Sequence, residues 1–117
     1  MSAVYRTLGR DTLTVDNTAG GVQIAAALRP NHADGNNNII SIRCTVETAE
    51  IRASAEANAA GSPTNAVTAS LHGELYAVGD VFMIHGADDI ENFRAIRTGG
   101  SSAALQCEAL GSGNPAS

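Results

Sequence analysis

Three histidines, two cysteines and twelve acidic residues are the groups from which this lysine-free chain of 117 residues could build a reactive site. His32, His72 and His85 form no His-x-His or His-x3-His pair, the spacings that set two imidazoles on one face for zinc. His32 follows Asn31 and His72 precedes Gly73, so both read as polar turn residues. The run His85-Gly86-Ala87-Asp88-Asp89-Ile90-Glu91 gathers four potential ligands, yet it lacks the alternating acids and distal glutamate of a calcium loop. Asp88 is expected instead to cap the bend that follows, its carboxylate accepting from a free backbone N–H.

Cys44 and Cys107 fall on the inward parity of their segments, beside Ile42 and Leu105, where a thiol behaves as a small hydrophobe. A disulfide between them requires their strands to be neighbours, and a reducing cytosol favours free thiols. A nucleophilic role would need a partnered base and a lowered pKa, for which the sequence offers nothing. Ser70 and His72 would share a face of a strand, but no nucleophile elbow or oxyanion motif surrounds them. Gly111-Ser112-Gly113 opens no helix and so makes no phosphate loop. Arg94 and Arg97 lie on opposite parities, one expected in solvent and the other facing Glu91 or a partner chain. The expectation is a non-enzymatic chain with no catalytic, cofactor-binding or metal residues.

The elements that would carry these residues have a period of two, the signature of half-buried strands. Leu13 and Val15 alternate with Thr12 and Thr14; after Asn17-Thr18-Ala19-Gly20-Gly21, residues Val22, Ile24, Ala26 and Leu28 share one parity, which predicts a hairpin. Pro30–Asn38 is loop sequence. Ile40, Ile42, Cys44 and Val46 face one way. In Thr48–Ala57, Ala49, Ile51, Ala53, Ala55 and Ala57 alternate with Glu50, Arg52, Ser54 and Glu56, a pattern that outweighs alanine's helix propensity. After the turn-rich 58–65, Ala66–Ala77 fits a short strand or one helical turn. Val81–His85 is apolar on both faces, as a central strand should be. Phe93–Thr98 and Ala103–Leu110 are expected to pair across the turn between them. The reading is an all-β, single β-sandwich or jelly-roll-like domain of about six to eight short antiparallel strands over residues 11–110. It has a flexible N-terminal arm, 1–10, and a flexible C-terminal tail, 111–117.

Charged residues make up 16% and hydrophobic ones 44%, a globular balance, and the length allows one core. A net charge of −5 with seven scattered arginines leaves no electrostatic footprint for nucleic acid. The longest apolar run, Ile24–Leu28, falls far short of the ~20 residues of a membrane span. No cationic stretch precedes a long apolar one, so no signal peptide is expected. Aromatic residues are scarce (Tyr5, Tyr76, Phe82, Phe93) and alanine fills many inward positions, which makes the core thin. Thin cores survive by disulfides, metals or association. With two cysteines at most one bridge is available, so association, as a trimer or dimer, is expected.

Three segments in order, Thr45-Val46-Glu47-Thr48-Ala49-Glu50-Ile51-Arg52, then Gly79-Asp80, then Ile90-Glu91-Asn92-Phe93-Arg94-Ala95-Ile96-Arg97-Thr98-Gly99, resemble small virion accessory proteins of tailed bacteriophages. The resemblance spans about residues 39–108, and Phe93–Gly99 is its most specific part. Ala53–Asn65 departs from it, standing where that family has an aromatic-containing strand and an Asp-Gly turn. The resemblance implies a β-sandwich capsid decoration or cement protein, made in the host bacterial cytoplasm, whose partner is the major capsid protein on the outer surface of the virion. It transfers no catalytic residue. An acidic chain suits the outside of a shell packed with polyanionic DNA. Tyr5, Arg6, Leu8 and Arg10 are the residues expected to reach a neighbouring subunit. A head–tail or head-fibre component is the alternative within that group. A receptor- or carbohydrate-binding β module and a cupin-type enzyme are the other classes, one short of exposed aromatics and the other of a histidine pair.

Overall fold

The computed structural model describes residues 4–56, 68 and 73–113. Seven strands and one short helix follow in order: β1 (Val4–Val15), β2 (Ile39–Glu47), β3 (Ile51–Ser54), β4 (Glu74–Tyr76), β5 (Val81–His85), α1 (Ala87–Asn92), β6 (Arg94–Arg97) and β7 (Ala103–Gly113). They form two antiparallel sheets, one ordered β1-β7-β2-β5 and the other β4-β3-β6. The all-β expectation is met.

The larger sheet is built on β7, which pairs with β1 on one side and β2 on the other. Its inward residues, Ala103, Leu105, Cys107 and Ala109, are buried, as are Ile42, Cys44 and Val46 of β2 and Val15 of β1. Ile51 and Ala53 of β3 and Ala95 of β6 close the core from the smaller sheet. Three of the four inward side chains of β7 are small, and the bulk of the core comes from Phe93, Leu105, Ile24, Ile42, Ile51 and Ile90, all buried.

Four expectations give way to the structure. The segment taken as an N-terminal arm is strand: Val4 to Arg10 belong to β1 and pair with β7 as far as Gly113, which removes Gly111–Gly113 from the expected tail as well. A long β7 offers a complete ladder, and alternation in Val4–Arg10 is masked by the bulge between Thr7 and Gly9. The hairpin of 11–16 with 22–28 does not form. The Asp16 carboxylate accepts the Thr18 N–H at 2.9 Å and turns the chain toward the second sheet. There Val22 exchanges both backbone bonds with Ala95, and Ala26–Leu28 make a 3-10 turn. Ile24 and Leu28 are buried through this irregular path, so their shared parity came from burial without pairing. β6 and β7 lie in opposite sheets, so residues 98–102 carry the chain across the sandwich rather than closing a hairpin.

The fourth concerns β5. Its uncharged, two-sided apolar sequence predicts a central strand, yet it is an edge. The alternating stretch from Thr48 narrows to Ile51–Ser54 as strand; Ala49 and Ala55 still pack against the core, and Ala57 lies outside the described residues. Of Ala66–Ala77, Glu74–Tyr76 is strand.

Candidate functional site

Strand register turns the outward parity of the larger sheet into rows. Arg10, Glu108, Arg43 and Met83 stand side by side across β1, β7, β2 and β5. Glu108 is the hub of this row: its carboxylate accepts from Thr7 Oγ1 and from Arg10 Nη2 at 3.1 Å, with Arg43 Nη1 at 3.9 Å on its other oxygen. Both arginines are more than half exposed and Glu108 is 19% exposed, so the salt bridges contribute little stability and mainly orient the guanidiniums. The next row is Thr12, Gln106, Thr45 and Val81. Here Thr12 Oγ1 donates to Gln106 Oε1 at 3.0 Å, and Gln106 Nε2 donates to Glu47 Oε1 at 2.9 Å. Arg10 and Arg43 balance Glu47 and Glu108, so this face is electrically neutral on a protein of net charge −5.

Of the residues expected to reach a partner, Arg6, Leu8 and Arg10 have described side chains, and of these three the structure places Arg10 on this face. Arg6 is exposed further along β1, opposite Gly111. Leu8 is the extra residue of the bulge and turns inward onto the core. Gly111 admits it: a Cβ there would lie 2.3 Å from Leu8 Cδ1. Leu8 therefore anchors β1 and is not presented to a neighbour. The Tyr5 side chain lies outside the described residues. Arg43, Glu108, Gln106 and Met83, which complete the face, were not singled out from the sequence. Their outward parity was readable, but their adjacency exists only through the β2–β7–β1 register.

The face ends at β5 in an apolar margin, with Val81 50% and Met83 39% exposed and Ile40 beside them at 42%. A cavity of about 140 Å³ lies on this side, between Ile40, Ser41, Met83, His85 and Leu110. Another of about 150 Å³ opens between β5 and the smaller sheet, bounded by Tyr76, Phe82, Asp89 and Phe93. Both fall below the ~300–1,000 Å³ of a small-molecule site. Tyr76 stacks on Phe82 at 4.2 Å between ring centroids, and Phe82 on Phe93 at 6.0 Å. Burial pushes the Tyr76 phenol above its usual range, and the Glu74 carboxylate to which it donates adds to this. These three aromatic rings are spent on packing.

The remaining sequence candidates are dispersed. His32 Nδ1 accepts the Asp34 N–H in a turn, His85 is exposed on β5, and His72 lies outside the described residues. Asp88 does not cap α1. Gly86 holds the N-cap position at φ 88°, with no side-chain cap, and Asp88 and Asp89 sit in the first turn where the helix dipole favours them. Arg94 and Arg97 are both half-buried. Arg94 donates to the carbonyls of Glu91 and Phe93, while the Glu91 carboxylate is engaged by Arg29 at 3.0 Å. Among the described residues no three His, Cys, Asp or Glu side chains are grouped to hold a metal ion, and no helix is long and apolar enough to cross a membrane. Comparison with known proteins adds no assignment: no protein-family model, curated protein or solved structure matches this chain.

Proposed function

We propose that this protein is a structural, non-enzymatic virion component that binds the outer surface of a tailed-phage capsid and stabilises contacts between major capsid protein subunits. The observation that carries it is the outer face of the larger sheet, a broad surface of ordered Arg10, Arg43, Glu108 and Gln106 side chains whose cavities, among the described residues, hold about 140–150 Å³ each. Such a face suits another protein surface better than a small molecule, because side chains already held by neighbours lose little entropy on docking. Its neutrality lets an acidic protein present a contact face with its surplus carboxylates turned elsewhere. The likeness of Thr45–Arg52 and Phe93–Gly99 to phage accessory proteins supplies the partner class. Binding to the assembled shell would also stabilise the folded chain by linkage. The stacked Tyr76, Phe82 and Phe93 weigh against a sugar-binding module, which needs exposed rings.

The test is co-sedimentation of the purified protein with capsids from the same genome, before and after shell expansion. Saturable binding in hundreds of copies to expanded shells is expected, and Glu108→Arg should weaken it while leaving the fold intact. Binding in about a dozen copies would assign a head–tail role, and no binding would overturn the proposal.

A further inference from the structure

β5 has the sequence of a central strand and the position of an edge. Native edges are ordinarily blunted by charge, proline or a bulge. The opposite edge of the same sheet is: β1 carries Arg6, Arg10 and Asp11 and a bulge at Leu8. Val81-Phe82-Met83-Ile84-His85 has none of these and pairs with β2 without a register shift. Among the described residues no strand lies on its outer side.

The ladder shows which backbone groups are left over. Val46 N–H donates to Asp80 O at 3.0 Å and Gly86 N–H to Ile40 O at 2.8 Å, so the even-numbered residues of this segment bond toward β2. Antiparallel alternation then directs the amides and carbonyls of Val81, Met83 and His85 outward. These same residues have exposed side chains.

We propose that this edge pairs with the β5 edge of a second copy of the chain, antiparallel about a two-fold axis at Met83, joining two sheets into one of eight strands. The register is self-complementary. Met83 faces Met83, Val81 faces His85 of the second copy, and every outward amide and carbonyl finds its counterpart. Charge does not oppose it. Asp80 falls opposite Gly86 of the second copy, so no carboxylate faces another across the new pair. The nearest like charges on the face, the two Arg43 side chains, stand three strand spacings apart, about 14 Å. That exceeds the ~8 Å screening length at physiological ionic strength. A strand from an unrelated protein would have to match this pattern, whereas a second copy matches it by symmetry. The dimer needs no capsid, so it stands or falls separately from capsid binding.

Sedimentation velocity of the full chain over a wide concentration range is the first test. The mass is expected to rise with concentration to twice the 11.9 kDa of one chain. Met83→Lys, a change at an exposed site, should weaken the dimer by about tenfold or more by setting two ammonium groups face to face, with folding checked by circular dichroism. Met83→Cys gives a second readout. Residues facing each other in such a pair have Cα atoms about 5.5 Å apart, within disulfide range. Oxidised glutathione should therefore cross-link this variant into a dimer, two thiols losing their protons and two electrons to one glutathione disulfide. Thr12→Cys, exposed on β1 of the same face, should not cross-link. A single mass at all concentrations overturns the inference. So does a dimer indifferent to Met83→Lys, or equal cross-linking at Thr12→Cys.

Discussion

Cys44 and Cys107 face each other across the β2–β7 ladder, both buried against the opposing sheet and both free thiols. The pairing joins the two strands that hold the larger sheet together, and burial leaves Cys44 0% and Cys107 3% exposed. Burial and the neighbouring thiol push the Cys44 pKa strongly upward, the Cys107 contact being the larger cause.

Stability should therefore fall as pH rises above the ordinary thiol range. The folded Cys44 keeps its proton while the unfolded chain releases it above about pH 8.5. The unfolded state then binds fewer protons, so this contribution is fully present below that pH and lost above it, by about 1.4 kcal/mol per pH unit for one thiol. Urea titrations between pH 7 and 10 should show the slope, and Cys44→Val should remove it. Iodoacetamide should label the native protein only as fast as it opens.

Thr48 has φ 72° in the link between β2 and β3, where Ala49 N–H bonds to Glu47 O at 2.9 Å across a three-residue turn. A β-branched residue is disfavoured there, but Thr48 Oγ1 accepts the Ala104 N–H at 3.1 Å. Thr48→Ala keeps the strain and loses the acceptor, and should destabilise by about 1–2 kcal/mol. Thr48→Gly loses the acceptor but relieves the strain, and should be nearer neutral. Chemical denaturation of the two variants distinguishes them.

Arg29 fastens the irregular segment after β1 to α1 through Glu91, which also receives Gln23 Nε2 at 3.3 Å. The Arg29 side chain is 15% exposed and its Nε has no partner among the described residues. Glu91→Ala should cost about 1–2 kcal/mol, less than a fully buried pair because Glu91 is 36% exposed. Arg29→Met should cost less, since it removes the charge that Glu91→Ala strands. Thermal melts of both variants give the order.

Asp16 accepts from the Thr18 N–H and from Thr18 Oγ1 at 2.5 Å, and these bonds, more than the Arg97 charge nearby, hold its pKa below the usual carboxylate value. The sign follows from the charged form being favoured in the fold. The contribution is present above the unfolded pKa of about 3.9 and is lost as pH falls through the folded one. Asp16→Asn, which retains an acceptor, should flatten that part of the acid melting curve below pH 4. Midpoints measured from pH 7 down to 2.5 check it.

Sequence alone specified a β protein, because a period of two in Ile42–Val46 and Ala103–Ala109 is a local property that survives into the fold. It misplaced Ile40, which the irregularity between Ile39 and Ser41 turns outward to 42% exposure, and it suggested a thin core where isoleucines fill much of the interior. It also determined that Cys44 and Cys107 point inward, since parity needs only the strand. What lies beside what was decided by tertiary structure. Nothing local says that β7 takes β1 rather than β6 as a neighbour, or that Leu8 leaves the parity of its strand at a bulge. The row of Arg10, Glu108 and Arg43 comes from pairings 98 and 65 residues apart in sequence. For β5 the local pattern and the final position disagree: its apolar residues ask for burial on both sides, and the chain supplies a partner on only one among its described residues. Register and strand order depend on which ladders satisfy the most backbone groups over the whole sheet, and that is a property of the assembled molecule.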